Sequence, residues 1–321
     1  NYNDGTKIYY NSRDCNDLIK ANDNQSLSDW QKMQKIKSIF AKHKIKVKFV
    51  PWFYMLNQLI TLHDKEWLTN QRIAGKVVAE CLSTCKRILE HGADDISGVI
   101  LAAICKNIID DNSCTPTFLN YKGHGVHPFP SSICVSVNRQ LVHGVPNDIP
   151  FKHGDLVSID LGATYKGSIA DAATTVIFGG NNKAPKYVEM LNLCKLSLKN
   201  AIEAIRPEKR LGIIGWTINN TVKQFPYGLI TPYGGHGIDT DIPHAQPFVC
   251  NKAQCNEGVR LQPGMSLAIE PMLVYGKSVK TNVDKDDHWT VWLDKDCVGV
   301  HEEHTIFIGD DGLAEVITKF E

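Results

Sequence analysis

The sequence predicts an α+β protein with two similar halves, and three observations predict it. Two long amphipathic helical stretches are each followed by short apolar runs that read as strands. A length of 321 residues is enough for one large or two ordinary domains. The composition, 43% hydrophobic and 22% charged, excludes a wholly disordered, collagen-like or coiled-coil chain.

Residues 1 to 64 differ from the rest, being rich in Asn, Asp and Lys, and Lys plus Arg outnumber Asp ten to five over residues 1–48. They are expected to form an N-terminal extension to a catalytic domain over 65–321. Its simplest role is a surface-wrapping arm, and its sharper one a basic contact with ribosomal RNA or the remnant of a targeting segment. Over the whole chain 35 basic and 35 acidic side chains cancel, so no dominant field draws the molecule to DNA or an anionic membrane. The longest apolar run, from Phe49 to Leu62, contains Pro51, Asn57 and Gln58 and falls short of the ~18 residues a membrane span needs. The ten cysteines fit neither a CxxC pair nor a zinc knuckle and read as reduced core thiols, which suits the cytoplasm. A first residue other than Met leaves a mitochondrial or plastid origin, after loss of a targeting segment, as the alternative.

The first helix is expected over about 69–91, where Ile73, Val77, Val78, Cys81, Leu82, Cys85, Ile88 and Leu89 recur at helical spacing before Gly92. In FPSSICVSVNRQLVHGVP the alternation of Ile133, Val135 and Val137 ahead of Asn138 and Gln140 reads as a strand pair. HGDLVSIDLGATYKGSIADAATTVIFGG holds two apolar runs interrupted at Gly162 and Gly167, a strand followed by a hairpin or bend. A second helix is expected from Tyr187 through Ile205, ended by Pro207. YGGHGI reads as a Gly-rich turn, and QPGMSLAIEPMLVYG, HWTVWLDKD and VGVHEEHTIFIG return to strands.

The chemical signal lies in where the acids sit. Strands favour apolar and β-branched residues, so Asp160 in VSIDLG and Glu270 in SLAIEPML break the local pattern and need a partner once buried. Asp171 and Glu303 lie in similar segments, and His236 in the Gly-rich turn. Singly, each has a structural explanation: a turn residue, a core imidazole, an acid paired with His304. Jointly, four carboxylates and one imidazole suit two adjacent divalent ions with a water clamped between them.

CVSVNRQLVHGVP, the VSIDLG and IAD pair, YGGHGI, GMSLAIEPML and EEHTIFIG together resemble a type I methionine aminopeptidase of peptidase family M24, in its bacterial or organellar form. The resemblance covers about residues 65–317. It implies the pita-bread (creatinase/aminopeptidase) fold, two pseudo-symmetric α/β halves around a dinuclear metal site. It further implies that Asp171 and Glu303 bridge two divalent ions (Mn, Fe, Co or Zn), that Asp160 binds one, and that His236 with Glu270 holds the other. The activity implied is removal of the N-terminal methionine from nascent polypeptides, by attack of a metal-bridging hydroxide on the first peptide bond. By the same resemblance, His143 and His244 flank the substrate as donors to the developing oxyanion, and an imidazole with its ordinary pKa near 6.5 can do this close to working pH. Glu270 moves the proton from water to the leaving amine. Phe129, Cys134 and Trp289 occupy the positions of the family's methionine pocket. A one-chain site makes a monomer sufficient.

Two departures stand out. His244 follows His236 by eight positions, one more than the usual bacterial spacing, and Pro243 precedes it where the family commonly has an aromatic residue. Xaa-Pro aminopeptidases and prolidases share the ligand set but carry a large folded N-terminal domain, for which 64 residues are too few. A non-catalytic scaffold of this fold typically lacks ligands, and all five are present here.

Overall fold

The computed structural model describes residues 60–123 and 127–320. The expected extension, with any ribosome or targeting role, thus lies outside the described residues except for its last five. Those five lie against the body of the chain: the His63 amide donates to Gly264 O at 2.8 Å, and its ring lies 3.0 Å from Ile238 O.

Helix α1 (Lys65–His91) begins a turn earlier than its hydrophobic period suggests. The signal is polar rather than apolar: the Asp64 carboxylate caps the helix by accepting from the Trp67 amide. Gly92, at φ 65°, ends it as expected. Helix α2 (Gly98–Asp111) follows, and then β1 (Thr115–Pro116), β2 (Cys134–Val137) and β3 (Gln140–Val142). The expected pairing of β2 with β3 is corrected. Asn138, in the left-handed region, turns the chain between two adjacent strands, but β2 forms its ladder with β4 (Leu156–Tyr165) and β3 with β12 (Val291–Leu293).

A second correction concerns β4 and β5 (Ser168–Ile177). They form an unbroken antiparallel hairpin of ten residues a side, and Gly162 does not interrupt it. Gly162 is there because Thr117 packs where its side chain would be: a Cβ would lie 2.9 Å from Thr117 Cβ. Helices α1 and α2 cover this hairpin and bury Val78, Leu82, Leu89, Leu101, Ile159 and Leu161 completely. Each such side chain contributes roughly 1.5–3 kcal/mol of transfer free energy.

The second half repeats the scheme. Helix α3 (Val188–Glu203) lies in the predicted stretch, and α4 (Gly212–Val222) packs against it. After β6 (Gly228–Leu229) come β7 (Gly235–Asp239) and β8 (Ile242–Val249), so His236 sits on a strand and not in a turn. Strands β9 (Ser266–Ile269) and β10 (Met272–Tyr275) are separated by Glu270 and Pro271; β13 (Val298–His301) and β14 (His304–Ile308) are separated by Glu302 and Glu303. Short β11 (Thr281–Val283) and β15 (Ala314–Val316) complete the set. One sheet runs β15-β14-β9-β7-β8, another β13-β10-β6. Strand β14 and the Glu303 amide, which donates to Ala173 O at 2.9 Å, tie this half to β5. Seven of the nine described cysteines are buried and all nine are free thiols, as expected.

Candidate metal centre

Side chains alternate across a strand, so Asp160 can leave the apolar face that Ile159 and Leu161 bury. Across the hairpin Asp160 stands opposite Ala173, and Asp171 opposite Gly162. Each acid thus faces a small residue, and the two share one face of the hairpin with room between them. Thr305 clamps the Asp171 backbone, accepting from its amide at 2.8 Å and donating to its carbonyl at 2.7 Å. Glu270 and Glu303 emerge where strands break, and Asn251 fixes the first by donating to Glu270 O at 3.0 Å.

All five predicted ligands are brought together. Donor atoms of Asp160, Asp171 and Glu303 lie within 4.8 Å of one another, as do those of His236, Glu270 and Glu303, and a third such group joins Asp171, His236 and His244. Asp171 and Glu303 are each 2% exposed. Oδ1 of Asp160, Oδ1 of Asp171 and Oε1 of Glu303 are buried without a hydrogen-bond partner. Burial, reinforced by mutual repulsion, pushes Asp160 and Glu303 well above the usual carboxylate range and Asp171 up to about 8. Burial also works on Glu270, but there His301, His236 and His143 outweigh it and hold the carboxyl below its ordinary value. Three orphaned carboxylate oxygens beside an imidazole are the donor set a divalent cation satisfies, so the residues fit the metal that the sequence implies.

The centre opens into a cavity of about 480 Å³. Phe129, Cys134 and Trp289 line it, with Phe118 beside them. Phe129 and Trp289 meet edge to face, with centroids 5.4 Å apart. His143 and His244 line it too. Burial drives His143 down to about 4, only partly offset by Glu270. Near working pH its imidazole is therefore neutral, with one N–H to offer rather than two.

The extra residue before His244 is absorbed by a bulge. Gly237 pairs with Ala245 and Asp239 with Ile242, so Pro243 and His244 together oppose Ile238 alone. Pro243, which has no amide to offer a ladder, is buried at this kink.

Two residues escaped the sequence reading. Tyr121 places its hydroxyl 2.7 Å from His244 Nδ1, and the two rings are tilted with centroids 5.0 Å apart. His301, 1% exposed, has Nε2 3.3 Å from Glu270 Oε2 and 3.9 Å from Glu303 Oε2. The "YK" and "VGVHEEH" contexts mark neither of them.

Acids buried around one polar centre, at the floor of a cavity with apolar walls, define the class of metal-dependent hydrolases. Residues 69–310 match metallopeptidase family M24, and the chain belongs to that family. It is similar to the methionine aminopeptidase of Mycoplasma capricolum, 38% identical over 264 residues that span 82% of this chain and 100% of that one. The crystal structure of the methionine aminopeptidase from Thermotoga maritima superposes with a TM-score of 0.74 at 33% identity, over 81% of this chain and 99% of that one. Prolidase from Pyrococcus furiosus, at 22% identity and a TM-score of 0.60, shares the fold. That fold is the pita-bread arrangement.

Proposed function

We propose that this chain is a methionyl aminopeptidase, which removes the N-terminal methionine from nascent polypeptides in a metal-dependent hydrolysis. The observation that carries the reading is the set of orphaned carboxylate oxygens on the floor of an aromatic-walled cavity. Two divalent ions (Mn, Fe, Co or Zn) fit better than one, because Glu303 belongs to both the Asp160/Asp171 group and the His236/Glu270 group. Asp171 and Glu303 would be shared by both ions, with Asp160 holding one and His236 and Glu270 the other. A bound divalent cation lowers the pKa of water toward neutrality and polarises a carbonyl.

The protein's own groups do the rest. The Phe129 and Trp289 rings and the Cys134 thiol form an apolar pocket in which an unbranched thioether side chain packs well. The neutral His143 imidazole donates one N–H toward the scissile carbonyl oxygen, and His244, held by the Tyr121 hydroxyl, faces the same space. Glu270, ionised at neutral pH, has a carboxylate oxygen ready to accept a proton and pass it to the leaving amine.

The test is hydrolysis of Met-Ala-Ser, Leu-Ala-Ser and Ala-Pro-Ser by metal-stripped protein, before and after addition of Mn(II) or Co(II). Release of Met alone, and only with metal, is expected. Cleavage chiefly before proline would instead assign the chain the specificity of a prolidase.

A further inference from the structure

Among the described residues, His301 faces the metal centre with a role in neither the ligand nor the substrate assignment. It ends β13, and Thr175 of β5 fixes its backbone on both sides. The His301 amide donates to Thr175 Oγ1 at 2.8 Å, and Thr175 Oγ1 donates to His301 O at 2.9 Å. A backbone held in this way leaves the side chain little choice of direction. The ring is buried, neither of its nitrogens finds a partner outside the centre, and Nε2 points between two carboxylates, 3.3 Å from Glu270 Oε2 and 3.9 Å from Glu303 Oε2. The other Glu270 oxygen, Oε1, lies 3.7 Å from His236 Nε2.

We propose that His301 is a positioning residue: its Nε2–H holds Glu270 Oε2, so that Oε1 is the oxygen Glu270 presents beside His236 to the metal. A carboxylate with both oxygens free can swing, chelate or turn away. One with an oxygen tethered directs its other oxygen at the metal and keeps a second lone pair on the tethered oxygen for a proton, and such outer partners of metal ligands are typically worth 10–100-fold in metal affinity. The argument rests on the ligand role given to Glu270 above.

The experiment titrates Mn(II) into metal-stripped full-length protein by calorimetry and measures kcat and KM separately on Met-Ala-Ser. His301→Leu is expected to weaken Mn(II) binding 10–100-fold and to lower kcat with little change in KM, since the methionine pocket is untouched. His301→Gln keeps an N–H donor of similar reach and is expected to recover most of both losses. A merely structural role would not show this rescue. Wild-type Mn(II) affinity and kcat in His301→Leu would overturn the proposal. So would a His301→Gln variant as impaired as His301→Leu, because the ring nitrogen would then itself be a ligand. Melting of the metal-free variants checks folding, and should His301→Leu not fold, His301→Asn, whose amide is too short to reach Glu270, takes its place. Glu270→Gln in the same titration tests the ligand assignment separately: full Mn(II) affinity there would sink that assignment, whatever His301 does.

Discussion

His143 shows how burial sets the chemistry of a single side chain. It follows β3 in the left-handed region, at φ 57°, and turns its ring into the cavity. Because burial lowers its pKa to about 4, its contribution to stability is complete above pH 6.5 and is lost as the pH falls through about 4. A cation bound nearby pushes the pKa further the same way. Nitrogen NMR shifts of this ring should therefore report a neutral imidazole from pH 6 to 8 with metal bound, and a protonated ring in that range would contradict the reading. Replacing His143 with Ala should lower kcat about 10²–10³-fold, the usual cost of one oxyanion donor, while leaving Mn(II) affinity unchanged. Loss of metal together with rate would make it a ligand instead. At this scale the sequence was informative wherever a residue broke its local pattern. Asp160 and Asp171 were legible because acids do not belong in β-strands that pack against a core. His301 was not, because four titratable residues stand together from His301 to His304 and the chain breaks between strands in their midst. The break directs His301 and Glu303 at the centre, while His304 turns to Thr318 at 3.0 Å.

The elements were read from hydrophobic period, and that signal succeeds when one face is apolar and the other is not. Helices α1 and α3 have such faces. Helix α2, GVILAAICKNIIDD, is apolar on most sides, and α4, GIIGWTINNTV, mixes glycine with β-branched residues of modest helix propensity, so tertiary packing decides both. Strand β7 was missed for a related reason. Its glycines look like a turn but serve close packing, since a Cβ on Gly237 would sit 2.0 Å from Gln246 O of β8. Gly237→Ala should therefore push β7 from β8, cost roughly 1–3 kcal/mol and shift the adjacent His236. A lower urea midpoint with unchanged m-value, joined to weaker Mn(II) binding, is the expected result. A variant with the wild-type midpoint would mean that the bulged hairpin has slack the structure does not reveal. Gly162→Ala, where the nearest atom is a side-chain carbon at 2.9 Å, should cost less, because a side chain yields more readily than a strand.

The metal centre joins distant parts of the chain: β4 and β5 from the first half, β7 and the β9–β10 joint from the second, and the β13–β14 joint near the C-terminus. Without a cation, folding forces three mutually repelling carboxyl groups into one dry site. With one, the same groups become the link between the halves. Metal binds the folded chain and not the scattered ligands of the unfolded one, so at 100 times its dissociation constant it adds about 2.7 kcal/mol. For a folded unit of this size that corresponds to a rise in Tm of about 5–10 °C. Asp171→Asn separates the two effects, since it removes the proposed bridging ligand and also one of the crowded carboxyl groups. Metal-free Asp171→Asn should melt no lower than metal-free wild type, yet gain little on addition of Mn(II), whereas the wild type gains the full amount and loses it again to a chelator. Equal gains in both proteins would show that the stabilising ion sits elsewhere and that Asp171 does not bridge.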